Sequence, residues 1–288
     1  MQRSIVVVLS DTHANHRLGL LSPETILKEE DPKTRELKPW KPGLGPTQQW
    51  LWNDCYLIDI EGVKQLAGRD RIILVHAGDM CQGGNGNGRE LVSARIADQF
   101  IMAADNLRPW FKLPNLERAI FLKGTGYHEL GQGSAALSVA EILAKEGIPI
   151  DVPYHAKLEI DGATFDLAHH GPPPGVRSWL KGNILRLYTQ SLMDKALMNG
   201  NVPPQVMGRG HYHELTSEVV TRRARGRRWE TRAVIFPAYS GIDEYARKVS
   251  KSPDELTVGL VAFEIVDGRV LEMYEFVRTI DYSTRMII

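Results

Sequence analysis

The sequence predicts an α/β fold in which two sheets pack together with helices outside them, in one domain spanning residues 1–288. Three observations carry this. Short continuous apolar runs, several rich in β-branched residues, recur along the chain and end abruptly in polar residues. Longer segments with helical spacing of apolar residues lie between several of them. Two Asp-Gly pairs, Asp161-Gly162 and Asp267-Gly268, separate alternating runs as two-residue hairpin turns do. With 288 residues, 43% hydrophobic and 24% charged, the chain can bury a sizeable core without covalent staples.

In order, Ile5–Leu9 reads as a buried strand. Residues 22–46 hold Pro23, Pro32, Pro39, Pro42 and Pro46 and are expected to form an irregular insertion. Thr47–Leu66 fits a helix with Trp50, Tyr56, Leu57, Ile60 and Val63 on one face. Arg71–His76 is a second strand, followed by a loop with Gly83, Gly84, Gly86 and Gly88 and a helix over roughly Arg89–Leu107. Arg118–Leu122 is a third strand, and Ala135–Glu146 a short helix. Tyr154–Ile160 and Thr164–Ala168 form a hairpin, and Pro172–Pro174 stop the second arm. A helix follows over Val176–Met198, then a short strand at Gln205–Met207. The last strands, Leu215–Thr221, Glu230–Phe236, Val258–Val266 and Val270–Val277, are expected to complete the second sheet.

Composition excludes disordered, collagenous, membrane-spanning and disulfide-rich classes. Thirty-five basic residues balance thirty-five acidic ones, so the chain is not a general polycation. Cys55 and Cys81 are too few for a disulfide framework or a cysteine-rich zinc site, and fit a reducing compartment. The apolar run before Ser10 is shorter than a secretory leader requires, so a cytoplasmic protein is expected, with no membrane association.

The chemistry lies at the strand ends. Separate apolar strands run into Asp11 and His13, into Asp79, into His128, into His170, and into His211 and His213. Ligands in α/β folds bind at such ends. Aspartate offers hard oxygen and histidine borderline nitrogen, a set suited to manganese, iron, zinc or nickel rather than calcium. Along an extended strand, alternate residues project to one side, so Asp11 can join His13 and His211 can join His213. By the same alternation His169 is expected to point away from His170, into packing. His76 is expected to support the core or the ligands, and His16 and His155 to lie at the surface. Cys81 reads as a small buried filler. The glycines at 83–88 lack a phosphate-loop ending and read as a rim of the site. Tyr212 is either rim or packing. Arg222, Arg223, Arg225, Arg227 and Arg228 flank Gly226 at a hairpin tip. They read either as a solvated turn or as a contact for a phosphate backbone, with Trp229 stacking on a base or starting the next strand.

Taken in order, Asp11-Thr12-His13, Gly78-Asp79, Gly126-Tyr127-His128-Glu129, His170-Gly171 and Gly210-His211-Tyr212-His213 resemble the motif series of the calcineurin-like metallophosphoesterase superfamily. That series reads D-x-H, G-D, G-N-H-D/E, H-G and G-H-x-H. The resemblance covers Ile5 to His213. It implies a four-layer α/β/β/α sandwich of two packed mixed sheets with outer helices. It also implies one ion held by Asp11, His13, Asp79 and His213, and a second held by Asp79, His170 and His211, with Asp79 bridging. His128 would act as outer-sphere acid or phosphate contact. Two departures stand out. Tyr127 occupies the place of the family's Asn ligand, and a phenol is a poor ligand at neutral pH, so Thr125 or water would fill the gap and Tyr127 would turn toward packing or the rim. Gln82 stands where many family phosphatases carry Asp-Arg-Gly nearby, so their phosphate-gripping Arg is missing.

The function these features imply is metal-dependent hydrolysis of a phosphate ester by a water activated between two divalent transition-metal ions. Manganese is the first choice, with iron, zinc and nickel as alternatives. A phosphodiester is favoured, nucleic acid among the candidates. The alternatives are a small phosphomonoester or nucleotide as substrate, and a noncatalytic scaffold of the same fold. No obligate protein partner is expected.

Overall fold

A computed structural model describes residues 2–84, 90–131, 133–175, 177–241 and 255–281. In chain order its strands are β1 (Arg3–Leu9), β2 (Leu27–Glu30), β3 (Leu37–Trp40), β4 (Arg71–His76), β5 (Leu116–Phe121), β6 (Ile150–Asp151), β7 (His155–Ile160), β8 (Ala163–Ala168), β9 (Val206–Arg209), β10 (Thr216–Ala224), β11 (Arg227–Ile235), β12 (Glu255–Val266) and β13 (Arg269–Asp281). Its α-helices are α1 (Pro46–Trp50), α2 (Leu57–Ala67), α3 (Ile96–Phe111), α4 (Ser134–Leu143) and α5 (Asn183–Met198).

The first sheet has the order β13-β12-β1-β4-β5-β6, with β1, β4, β5 and β6 parallel. The second has the order β10-β11-β9-β8-β7, with β11, β9 and β8 parallel. The alternation along β1 shows how they stack. Ile5, Val7 and Leu9 pack against Tyr56, Val63, Met102 and Trp110 of the helical layer. Val6 and Val8 face the other way, onto Phe165, Leu167, Val206 and Val234 of the second sheet. The outer face of that sheet, at Met207, Ala233 and Ile235, is covered by Leu185 of α5. The α/β/β/α layering expected from the sequence is therefore present. No helix among the described residues is long and apolar enough to cross a membrane.

Both Asp-Gly pairs make the expected turns. Asp161 and Gly162 have φ of 52° and 87°, and Asp267 and Gly268 have 46° and 82°. Two successive left-handed residues match the right-handed twist of the flanking strands.

Several expectations need correction. β12 and β13 do not complete the second sheet; β12 pairs antiparallel with β1 in the first. The physical reason lies in β12 itself. Leu260, Val261, Ala262 and Phe263 are consecutive and fully buried, a run that needs cover on both faces. The sheet between helices and second sheet provides it. The Pro-rich insertion is not wholly irregular, since β2 and β3 pair as a hairpin. The helix expected over 47–66 runs from α1 to α2 through a π-helical turn at Leu51–Tyr56. The helix expected from Arg89, a residue outside those described, starts at Ile96. Asn15 exchanges hydrogen bonds with Ser93, and the Ser93 hydroxyl bonds Asp98 in the first turn of the helix. The helix expected from Val176, also outside the described residues, starts at Asn183. His16 is buried rather than at the surface.

Phe263 meets Phe165 edge to face at 5.8 Å between the sheets. Phe263→Ala is expected to cost about 3–5 kcal/mol of unfolding free energy, as large-to-small core changes do. Leu271→Ala, at an exposed position, is expected to cost less than about 0.5 kcal/mol. Urea denaturation of the two variants checks the contrast.

Candidate metal centre

The C-terminal ends of β1, β4, β5, β8 and β9 meet at one edge of the sandwich. Immediately beyond them the chain turns sharply, and most of the turning residues are not glycine. Asp11, His13, Asp79, His211 and His213 have φ of 51°, 43°, 52°, 80° and 54°. Side chains with a Cβ rarely adopt this left-handed conformation, and it persists where the surroundings over-determine it. It also corrects the reason for convergence. Asp11 and His13 lie beyond the end of β1, so strand alternation does not bring them together; consecutive backbone kinks do.

Two groups of ligating atoms result. In the first, His13 Nε2 lies 3.2 Å from His213 Nε2. These nitrogens lie 3.8 Å and 3.3 Å from Asp11 Oδ1. In the second, His169, His170 and His211 converge. Asp79 links the two. Its Oδ2 is 2.9 Å from His169 Nε2 and 3.9 Å from His128 Nε2, and it forms a potential ligand group with His13 and His128.

Hydrogen bonds behind the rings decide which nitrogens face inward. His169 Nδ1 donates to the Ala77 carbonyl at 2.8 Å, and His128 Nδ1 donates to the Gln82 carbonyl at 2.6 Å. His13 Nδ1 donates to Gln82 Oε1 at 3.0 Å, and Ser240 Oγ meets His213 Nδ1 at 3.2 Å. With Nδ1 carrying its proton, His13 Nε2 presents a lone pair to the facing His213 ring. Asp11 Oδ1 is buried and has no hydrogen-bond partner, whereas its Oδ2 accepts from Ser10 Oγ and from the His211 amide. A ring lone pair aimed at a second ring and a carboxylate oxygen without a hydrogen bond is costly unless a proton or a cation lies among them. Ligands about 2.0–2.1 Å from an ion sit roughly 3.0–3.4 Å from one another; His213 Nε2 stands at that spacing from both His13 Nε2 and Asp11 Oδ1, and the third side, His13 to Asp11, is longer at 3.8 Å. The buried His and Asp groups thus fit metal ions.

The electrostatics agree. Burial alone would raise Asp11, but the His213, His169 and His13 rings hold it well below the usual carboxylate range. Asp79 is held low against burial by the hydrogen bond and charge of His169. Burial opposes protonation of His169, yet the Asp11 and Asp79 charges push it up to about 9. His13, dominated by burial and by the His128 and His213 rings, is pushed well down. The carboxylates draw positive charge inward, and a metal ion would supply it in place of protons.

The loop after β5 is held in place by Glu129, which is buried and accepts from the Gly124 and Ala136 amides at 2.8 Å and 3.0 Å. Gly124 lies so close to Asp79 that any Cβ would collide with the carboxylate and its amide. The next residue, Thr125, donates from its amide to Asp79 Oδ1 at 2.7 Å. Its Oγ1 sits 3.1 Å from Asp79 Oδ2 and 3.3–3.4 Å from ring nitrogens of His169, His170 and His211. Tyr127 is 54% exposed, its ring edge-on to His128.

Asp11, His13, Asp79, His128, His170, His211 and His213 are therefore assembled, as is Thr125. One expectation about them fails. His169 does not point away from His170, because β8 ends at Ala168 and alternation ends with it. His169 is buried against Asp79, while His170 is the exposed member of the pair. Nothing in the spacing of Gln82 and Ser240 marks them in the sequence as partners of His13 and His213.

The arginine cluster lies elsewhere. Ile235 pairs with Arg209 at the centre's end of the second sheet, and Arg227 lies eight residues back along β11. At about 3.3 Å per residue this is some 26 Å away. Arg222 pairs with Asp194, Arg225 donates to the Leu197 carbonyl at the end of α5, Arg228 pairs with Glu230 and Arg227 lies over Trp229. Arg223 faces Arg228 across the ladder. None of the five touches the centre.

No family model matches the chain, and no curated protein matches it. Among solved structures, that of a novel archaeal phosphodiesterase is similar, with a TM-score of 0.37 and 13% identity over 96% of this chain and 98% of that one.

Two variants test the geometry. Gly124→Ala is expected to displace Asp79 and remove metal at both groups, with circular dichroism unchanged. Gln82→Leu frees His13 Nδ1 and is expected to weaken metal binding ~10- to 100-fold, the usual effect of losing such a partner. Metal titration by calorimetry reads both.

Proposed function

We propose that the protein is a metal-dependent phosphodiesterase with two ions, as the resemblance to calcineurin-like metallophosphoesterases suggests. Asp11, His13, Asp79 and His213 would hold the first. Asp79, His169, His170 and His211 would hold the second, with Thr125 Oγ1 beside it in place of the family's Asn. The observation that carries this reading is Asp79, one buried carboxylate set between two groups of inward-facing imidazoles. Ions so placed lower the pKa of a bound water, orient it and neutralise charge on phosphoryl oxygens.

The chain's own groups supply the rest. With Nδ1 tied to the Gln82 carbonyl, His128 has one nitrogen left, Nε2, which faces the centre. In the imidazolium form, with both ring nitrogens protonated, Nε2 would give a proton to the leaving oxygen or steady its charge. The His13 ring lies 4.6 Å from that of His128, edge to face, and fixes its plane. Glu129 and Gly124 hold the loop that presents both His128 and Thr125.

The diester reading over the monoester rests on charge. A phosphomonoester carries between one and two negative charges at neutral pH, a diester one. Among the described residues no lysine or arginine pairs with Asp11 or Asp79. Arg209, at the end of β9, is committed to Asp166 and to backbone carbonyls. A scaffold without chemistry would have no use for His128, whose hydrogen bond among the described residues is the one to the Gln82 carbonyl.

Turnover of bis-p-nitrophenyl phosphate with manganese present, lost on chelation and restored by metal, is the expected result; no turnover with manganese, iron, zinc or nickel would support the scaffold. His128→Ala is expected to lower kcat by ~10²-fold or more, on the scale of a positioned proton donor, at unchanged metal content. Asp79→Asn is expected to lose activity and metal at both groups.

A further inference from the structure

Tyr212 lies between two of the candidate ligands in the chain and bonds to the neighbour of a third. His211 and His213 turn left-handed on either side of it, with φ of 80° and 54°. The Tyr212 ring packs against Leu185, Met207, Ala233 and Ile235, the small core under α5. It also meets the His211 ring at 5.1 Å, with 71° between the planes. Its hydroxyl donates to the Gly171 carbonyl at 3.0 Å.

Gly171 follows His170, the one exposed imidazole of the centre. His13, His128, His169 and His213 each have Nδ1 in a hydrogen bond that sets the plane of the ring. Among the described residues, His170 has only Thr125 Oγ1, 3.3 Å from its Nε2. Its placement therefore falls to its backbone, and the backbone there is poor in donors. Pro172, Pro173 and Pro174 carry no amide N–H. The His169 carbonyl accepts from the Gly210 amide at 2.9 Å, and the Pro174 carbonyl from the Gly182 amide at 2.8 Å. Between those two points the Tyr212–Gly171 bond is the one hydrogen bond to the main chain among the described residues. The Gly171 backbone also lies against the Arg209 side chain, so closely that a Cβ there would collide with Arg209 Cγ. Arg209 is in turn pinned to Asp166 at 2.7 Å.

We propose that Tyr212 is the positioning residue of the second ion, its hydroxyl clamping the turn that presents His170 while its ring backs His211. The proposal rests on the two-ion reading and adds that the two ions are held by separate supports. Gln82 and Ser240 steady the rings of the first group, and Tyr212 serves the second. An imidazole on an untethered turn loses conformational freedom when it binds an ion, which weakens the binding. A clamp whose far end is fixed in the core under α5 removes that freedom beforehand.

The test is manganese titration by calorimetry on the wild type, Tyr212→Phe and Ser240→Ala. Tyr212→Phe keeps the packed ring and removes only the hydroxyl. It is expected to weaken one of the two ions by ~10- to 100-fold, the range for losing a partner behind a ligand, and to leave the other unchanged. Ser240→Ala removes the partner of His213 Nδ1 and is expected to weaken the other ion instead, which identifies the two. Turnover of bis-p-nitrophenyl phosphate by Tyr212→Phe should fall at low manganese and recover as manganese is raised. Two ions bound by Tyr212→Phe with wild-type affinity overturn the proposal and leave the two-ion centre standing. Equal weakening of both ions by Tyr212→Phe also overturns it, since the hydroxyl would then support the whole edge. Turnover lost at wild-type metal affinity and not restored by manganese would make the hydroxyl a substrate contact and overturn it as well. A wild type that binds fewer than two ions overturns the two-ion reading and the proposal together.

Discussion

Two carboxylates, Asp11 and Asp79, are buried where the two sheets meet, and the architecture of that edge follows from the need to satisfy them. A buried carboxylate without compensation is among the most expensive groups a fold can hold. Here the compensation comes from separate strand ends. Ser10 and the His211 amide serve one oxygen of Asp11, and the Thr125 amide and hydroxyl serve Asp79. Imidazoles from after β1, β8 and β9 surround what remains. The left-handed kinks at five of these residues are the conformational cost of that convergence, a cost that a cation held among these groups would offset.

The glycines beside the carboxylates show the same constraint from the backbone side. Gly78 has φ of 106°, and a Cβ there would run into the His169 ring. Gly124 leaves no room for a Cβ above Asp79. These two positions let β4, β5 and β8 release their chains within touching distance, so that one carboxylate can serve both groups. The rings are then set by partners one layer back: Ala77 for His169, Gln82 for both His13 and His128, Ser240 for His213. Gln82 uses its side chain for one ring and its carbonyl for the other, which couples His13 in the first group to His128.

Much of this was legible in the sequence because it is local. Apolar runs ending in Asp or His mark strand ends, and Asp161-Gly162 and Asp267-Gly268 mark turns whose geometry only such pairs adopt easily. The order of the motifs foretold which strand ends would meet. What was not legible depends on contacts between distant segments. Alternation predicts the direction of a side chain only within a strand, so it failed for His169, one residue beyond β8. The assignment of β12 to the first sheet depends on β1 having an open edge, which no local pattern shows. Arg222 to Arg228 stand out in the sequence, where charge is visible, but their distance from the centre is not. Gln82 and Ser240 act through a single hydrogen bond each from their side chains, and one hydrogen bond leaves no periodicity to read.

The central claim is that the Asp11–Asp79 cluster is a two-ion centre. A crystal structure of the manganese-soaked protein with anomalous data tests it most directly. Two peaks are expected, one bounded by Asp11, His13, Asp79 and His213, the other by Asp79, His169, His170 and His211, with Asp79 touching both. No peak at either group, with Asp11 Oδ1 bonded instead to a protonated imidazole, would contradict it.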